Sequence, residues 1–339
     1  YTTINKSTDY FNTKLYTGTG SSQSITGVGF QPDFTWIKQR SGVEQHVLFD
    51  AIRGVQKYIA SNTTAAEATT ATTLTAFNSD GFTEGGHGMT GASGSTYASW
   101  NWKANGAGSS NTDGSIATTV SVNTTAGFSI GTCAGLATNN DTLGHGLGVV
   151  PKMIIVKNTQ ATGNWFVYHA SLGNTDSLYL NTTGSTLGST IWNNTTPTSS
   201  VFTMKGGDFA TGESLVFYAF AEKTGYSKFG SYTGNGSSSS PTFIYTGFKP
   251  KFVIVKNTSQ ADSWFIHDDK RDGYNDDNEY LFADLTNAEG TNVNRIRFLS
   301  NGFSVPTTDK SHNVSGNNYI YMAFGQSLVG SNNIPCTAR

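Results

Sequence analysis

A threefold internal repeat constrains this chain more than any other feature of its sequence. In each copy a glycine precedes a proline by three residues, and a lysine follows that proline by six residues. These landmarks are Gly29, Pro32 and Lys38 in the first copy, Gly148, Pro151 and Lys157 in the second, and Gly247, Pro250 and Lys256 in the third. Because so many landmarks keep their order, the chain is predicted to use one structural unit of about 100 residues three times.

Each copy carries the same series of strand-like segments. Short apolar runs rich in β-branched and aromatic residues follow each proline, and each copy closes on an aromatic run: 97–102, 215–220 and 319–324. The Asp80-Gly81 and Asn301-Gly302 steps are typical of hairpin turns, since glycine accepts a positive φ. The run Met153 to Val156 is apolar throughout, which predicts a strand buried on both faces. The pattern favours an all-β chain of three tandem, jelly-roll-like β-sandwich modules.

The repeat also predicts the domain boundaries. We expect a first β-sandwich with an N-terminal arm at 1–125, a second at 126–224, and a third with a C-terminal tail at 225–339, each with its own core. Helix is expected in well under a fifth of the chain, because only Ala65 to Ala71 suits a helical turn or two.

Composition limits the function classes. Charged residues make up only 13% of the chain and the net charge is -2, without a basic cluster, which argues against nucleic-acid binding. The sequence lacks an apolar run long enough to insert into a membrane, and its N-terminus does not resemble a signal peptide. The two cysteines, Cys133 and Cys336, are expected to be free thiols, one in a core and one in a tail. The surface is expected to take its polarity from hydroxyls and amides.

The motif Asp-x-x-Arg occurs in two copies, as Asp50/Arg53 and Asp268/Arg271. Glycoside hydrolysis needs two carboxylates close together, and these aspartates form no such constellation in the sequence. An ion pair that fixes a turn is the favoured interpretation, since a repeated feature is more natural as structure than as two active sites.

Metal and cofactor sites are not indicated. The acidic stretch 268–279 contains oxygen ligands suited to Ca²⁺, but its spacing fails the EF-hand pattern, so a solvated loop is preferred and calcium is the alternative. The six histidines are scattered without zinc spacing and are expected at the surface or at sheet edges. We therefore expect no metal, no cofactor and no catalytic residue.

Three aromatic residues lie in loop-like sequence and are the candidate binding residues. Tyr58, Trp192 and Tyr274 each offer a ring on which a sugar could stack. The alternative for each is partial burial at a domain edge.

The sequence resembles a family of marine bacteriophage structural proteins, labelled tail-fibre-like or virion proteins. The resemblance rests on Leu15-Tyr16-Thr17-Gly18, Pro32-Asp33-Phe34-Thr35-Trp36-Ile37-Lys38 and Trp100-Asn101-Trp102-Lys103, and it extends over nearly the whole chain. It implies a virion protein, assembled in the cytoplasm of the host bacterium, that contacts other virion proteins and a host surface glycan. It supplies no catalytic residues.

The expected function is therefore that of a non-enzymatic tail fibre or surface appendage whose loops adsorb to the host. A capsid decoration or connector protein with a purely architectural role is the alternative, and a polysaccharide depolymerase is a weaker one. A homotrimer is expected by analogy with fibres alone.

Overall fold

The computed structural model describes residues 2–136, 138–206, 209, 212–271, 279–291 and 293–329. Its first unit contains a short 3-10 helix, Ser7–Asp9, and nine strands. The strands are β1 (Phe11–Thr17), β2 (Gln23–Thr26), β3 (Phe34–Gln39), β4 (Val47–Asp50), β5 (Lys57–Ala60), β6 (Ala68–Thr69), β7 (Leu74–Asn78), β8 (Gly81–Glu84) and β9 (Thr96–Trp102).

The remaining strands form two further units. The second unit contains β10 (Ser109–Asn111), β11 (Thr118–Asn123), β12 (Phe128–Ala134), β13 (Asp141–Gly144), β14 (Met153–Asn158), β15 (Phe166–His169), β16 (Asp176–Tyr179), β17 (Leu187–Gly188), β18 (Val201–Met204) and β19 (Ser214–Phe220). The third unit contains β20 (Ser227–Thr233), β21 (Thr242–Tyr245), β22 (Lys249–Asn257), β23 (Phe265–Asp268), β24 (Leu281–Phe282), β25 (Arg297–Leu299), β26 (Gly302–Val305) and β27 (Asn318–Gln326). The all-β prediction is confirmed.

The strands that the three large sheets have in common follow one order, although the sheets differ in the number of strands at their edges. The large sheets run β1-β9-β3-β4-β5-β6, β10-β11-β12-β19-β14-β15-β16-β17 and β20-β27-β22-β23-β24, and every pair within them is antiparallel. A small sheet accompanies each: β2-β8-β7, β13-β18 and β21-β26-β25. In the first and third units the predicted glycine turns join β7 to β8 and β25 to β26.

The large sheets face one another across a single shared core. At its centre Trp102, Phe220 and Phe324 occupy the same position in the three sheets, because each pairs with the residue two positions after the repeated proline. The ring centroids of these three residues lie 5.8 to 6.4 Å apart. The chain is thus a closed ring of three units around a pseudo-threefold axis, with aromatic rings on that axis.

Smaller cores lie between each large sheet and its small sheet. In the first unit Ile37 and Phe49 face Ile25 and Phe82, and the third unit repeats this with Val253 and Val255 against Ile244 and Phe303. Strand β14 is buried along its whole length, as predicted, since one face meets the shared core and the other its own small sheet.

Two expectations about domains differ from the structure. The cores are not separate, because the shared cluster draws on all three units. Residues 109–123, expected in the first module, pair with β12 and extend the large sheet of the second unit.

The segment Ala65 to Ala71 contains strand β6 rather than a helical turn. Within the described residues there is no helix with the length and apolar character to cross a bilayer.

Candidate functional site

Equivalent main-chain hydrogen bonds join the three units into the ring. Gly163 N donates to Thr64 O (2.8 Å), Asp262 N to Thr183 O (2.8 Å) and Glu44 N to Thr286 O (3.1 Å). A second set runs from Glu67 N to Thr159 O, Thr186 N to Thr258 O and Glu289 N to Arg40 O, at 2.9, 3.2 and 2.9 Å. Within each set the donor and acceptor units follow the same cyclic order at all three interfaces, so the ring closes within one chain.

The repeated lysine acts at these interfaces. Lys157 Nζ donates to Thr64 O at 3.1 Å, and Lys256 Nζ donates to Thr183 O at 3.0 Å, in each case a carbonyl of the preceding unit. Lys38 differs, because it donates within its own unit to the carbonyls of Gln39 and Gly42. All three side chains are buried, and burial lowers the pKa of each to about 8.

A second repeated position is the last residue of the second strand after each proline, which is Asp50, His169 or Asp268. Its side chain contacts the next unit. Tyr218 OH donates to Asp50 Oδ2 at 2.9 Å, and Trp100 Nε1 donates to Asp268 Oδ2 at 2.9 Å. The second unit has His169 there, whose Nε2 lies 3.2 Å from the main-chain oxygen of Tyr321. The three interfaces therefore use the same position with different donors and acceptors.

The two Asp-x-x-Arg motifs have the same geometry. Arg53 Nε contacts Asp50 Oδ2 at 2.5 Å, and Arg271 Nε contacts Asp268 Oδ2 at 2.6 Å. Each arginine also reaches a glutamate at 3.1 Å: Glu67 for the first and Glu289 for the second. Because both aspartates are buried and engaged in these pairs, the motifs hold the interfaces together.

Electrostatics agree with this structural role. Burial opposes the charge on Arg53, but the carboxylates of Asp50 and Glu67 outweigh it and raise the pKa of the guanidinium. Burial alone would raise the pKa of Asp268, and Arg271 with Trp100 holds it below the ordinary value. In the third unit Glu279 lies beside Glu289, the glutamate that pairs with Arg271. Burial and the neighbouring Glu289 raise the pKa of Glu279 to about 7.

An open cleft of about 570 Å³, lined by both polar and apolar residues, lies between the first and second units. The first unit contributes Arg53, Lys57 and Glu67, and strands β11, β12 and β19 with the loop after β14 form the opposite wall. The polar groups on that wall are Thr119, Thr132, Thr159, Gln160 and Ser214. Strand β11, one of the two strands that widen the second sheet, contributes Thr119 to this wall.

The chemistry of the cleft suits a polar ligand. Glu67 is the one carboxylate among its described lining residues, and it is bound to Arg53. Lys57 is exposed at the rim, and the threonine and serine hydroxyls line the wall. Such a mixture of cations, hydroxyls and an amide matches the hydroxyl groups of a sugar, and the volume falls within the range of small-ligand sites.

The predicted stacking residues do not form this site. Trp192 is 1% exposed and packs edge-on against Tyr168, so its predicted role in binding is wrong. The indole of Trp192 is part of the small core of the second unit. Tyr58 is half-buried beside Phe49 at a ring distance of 6.3 Å, which matches the alternative of partial burial. Tyr274 lies outside the described residues.

The histidines contradict their predicted surface position. Five of the six are buried, His46, His145, His169, His267 and His312, and His87 is half-buried. In the third unit His267 Nε2 lies 3.0 Å from His312 Nε2. Burial lowers the pKa of both, which favours the neutral rings, and between neutral rings one nitrogen donates to the other. Among the described residues no group of three potential ligands could hold a metal ion.

The remaining site predictions have mixed outcomes. Cys133 is a buried free thiol, as predicted, and Cys336 lies outside the described residues. Most of the acidic stretch 268–279, at 272–278, is also outside them, while Asp268 is occupied by Arg271. The cleft itself was not predicted, since its walls come from residues of two units whose proximity depends on ring closure.

Comparison with known proteins places the chain in a family without assigning a function. Neither the curated proteins nor the solved structures contain a significant match to it. A family model described as "Domain of unknown function (DUF7483)" matches residues 6–327, nearly the whole chain, and the protein therefore belongs to that family.

Proposed function

We propose that the protein is a non-enzymatic structural component of a bacteriophage virion, in a tail fibre or similar surface appendage, and that it adsorbs to a glycan of the host surface. The sequence resemblance to marine phage structural proteins is the origin of this proposal. The observation that carries it is the closed ring, in which the buried charged groups of the first and third units serve cohesion between units.

The cleft supports binding rather than hydrolysis. Glycosidases use two carboxyl groups about 5 to 10 Å apart, and the described lining offers only Glu67, already paired with Arg53. Lys57 and the hydroxyls of Thr119, Thr132 and Ser214 remain to meet a ligand, while Thr159 and Gln160 are hydrogen-bonded to the Ser214 backbone. A depolymerase therefore finds no support in this cleft.

The ring also bears on the expected homotrimer. The large-sheet faces that a trimer of single units would share are already buried within one chain. A trimer of this protein, where one exists in the virion, would have to use other surfaces. Capsid decoration stays as a second candidate, because a chain with pseudo-threefold symmetry matches a local threefold position on a capsid.

Particle localisation and a glycan array test the proposal together. Antibody labelling of intact particles should place the protein on the tail or fibre, and purified protein should bind bacterial surface polysaccharides. Thr119→Trp fills the cleft from an exposed position and should abolish binding at that site, whereas Thr125→Trp, at the tip of the β11–β12 hairpin, is the matched control. Labelling over the capsid shell, with no glycan bound, would favour decoration; absence from particles would refute both.

A further inference from the structure

We propose a second binding site, for a sugar ring, on the outer face of the small sheet of the third unit, formed by Phe243 and Tyr245. The inference rests on the proposed adsorption role and names the residues and the ligand class that would serve it. Both aromatic side chains lie on β21, the edge strand of that sheet, and they alternate with Ile244, which points into the core.

These two rings are exposed to an extent that is unusual for aromatic residues in this protein. Phe243 is 48% exposed and Tyr245 is 64% exposed, whereas Ile244 between them is 5% exposed. Residues two apart on a strand lie on one face roughly 7 Å apart, so one ligand can contact both rings. Most other aromatic side chains of the described chain are packed in the cores.

Glycine backbone supports both rings from behind. A Cβ added to Gly302 would lie 3.1 Å from Phe243 Cε2, and a Cβ added to Gly247 would lie 3.4 Å from the Tyr245 hydroxyl. Aromatic residues often cover a glycine on a neighbouring strand, which accounts for the inner edge of the Phe243 ring at Gly302 of β26, whereas Gly247 lies in the turn that follows Tyr245. This arrangement leaves the outer parts of the rings facing solvent.

The first unit shows that the fold does not need these rings. Its strand β2 places Ser24 and Thr26 at the corresponding positions, and it keeps a glycine, Gly81, opposite Thr26. The second unit has Thr142 and Gly144 there. The same small sheet is therefore built twice without aromatic residues on its outer face, and cohesion alone does not explain Phe243 and Tyr245.

The size and surroundings of the patch favour a sugar over a protein partner. A stable protein interface buries about 800 Å² on each side, whereas two half-exposed rings offer roughly 200 to 300 Å². Ser300 and Asn301, both exposed in the adjoining turn, add a hydroxyl and an amide beside Tyr245. An aromatic surface next to such groups matches a pyranose ring, which has an apolar face and a rim of hydroxyls.

Variants that copy the first unit test the inference. Phe243→Ser with Tyr245→Thr installs the residues found at Ser24 and Thr26, at exposed positions whose change leaves the core intact. Val149→Thr, an exposed apolar residue of the second unit at 42%, is the matched control. Binding is measured by calorimetry with hexasaccharides of glucose, mannose and N-acetylglucosamine, and on an array of bacterial surface polysaccharides.

The wild type and the control should bind one of these probes, and the double variant should bind it roughly tenfold more weakly or worse. Equal binding by the double variant overturns the inference. If Thr119→Trp abolishes binding and the double variant does not, the glycan occupies the cleft, and the proposed function survives without this site. If sedimentation shows that the wild type self-associates and the double variant does not, the patch is an interface between copies, which also overturns the inference.

Discussion

Replacement of Arg271 by Met should destabilise the ring by about 3 to 5 kcal/mol, because it leaves the buried carboxylate of Asp268 without its cation. The guanidinium donates three hydrogen bonds: Nε to Asp268 Oδ2 at 2.6 Å, Nη2 to Ile266 O at 2.6 Å and Nη1 to Glu289 Oε1 at 3.1 Å. Both paired side chains, Arg271 and Asp268, have no exposed surface, so solvent cannot compensate for the loss. Methionine keeps most of the apolar volume, which isolates the loss of charge.

The deficit should depend on pH with a definite sign. In the wild type Arg271 and Trp100 hold the pKa of Asp268 below its ordinary value against the effect of burial, so its contribution is present above about pH 3.9. In Arg271→Met burial dominates and raises that pKa; the folded state then binds the extra proton, and the variant loses stability as pH rises. The difference between variant and wild type should therefore be larger at about pH 7 than near pH 4.5.

Urea unfolding followed by tryptophan fluorescence at both pH values measures these differences. The double variant Asp268→Asn/Arg271→Met should recover more than about 1 kcal/mol of the loss, since it removes the unpaired charge. A loss under about 1 kcal/mol for Arg271→Met, or a deficit that does not change with pH, would refute the reasoning.

Three further outcomes are expected. In a Cys336→Ser background, Cys133 should resist a thiol reagent at mildly alkaline pH until urea unfolds the protein, because burial raises its pKa to about 12; prompt labelling of the folded protein contradicts this. The isolated third unit, residues 225–329, should bind a hydrophobic dye and lack a cooperative thermal transition, because its large sheet would expose the shared core; a sharp transition would argue for independent domains. The free energy of unfolding should fall as pH drops below about 6.5, since burial lowers the pKa of His267 and His312 and the unfolded state binds their protons first; a flat urea-unfolding profile down to about pH 5 would argue against it.

The strands were predictable from the sequence because their signals are local. Apolar runs after each proline and the glycine turns at Gly81 and Gly302 depend on neighbours in the chain. The ion pairs of the Asp-x-x-Arg motifs are also local, since three residues separate the partners. These features needed no knowledge of how the units are arranged.

Ring closure was not predictable, and its consequences for individual residues were missed. The repeated lysine was recognised as a landmark, but the carbonyl that Lys256 binds belongs to Thr183 of another unit. Trp192 looked like a loop residue, because the residues around it are polar, although its ring fills a small core. Phe243 and Tyr245 had a detectable signal, since the aligned copies have Ser24 and Thr26 at the same register.

Fusion of the three units into one polypeptide frees them from identity. Three separate chains with one sequence would have to present the same residues at every interface and on every outer face, whereas here Asp50, His169 and Asp268 occupy one structural position with different partners. A mutation in a single unit changes one side of the molecule only. The gene can thus specialise one face for recognition while the other two preserve the scaffold, and the assembly reaches its threefold form at any protein concentration.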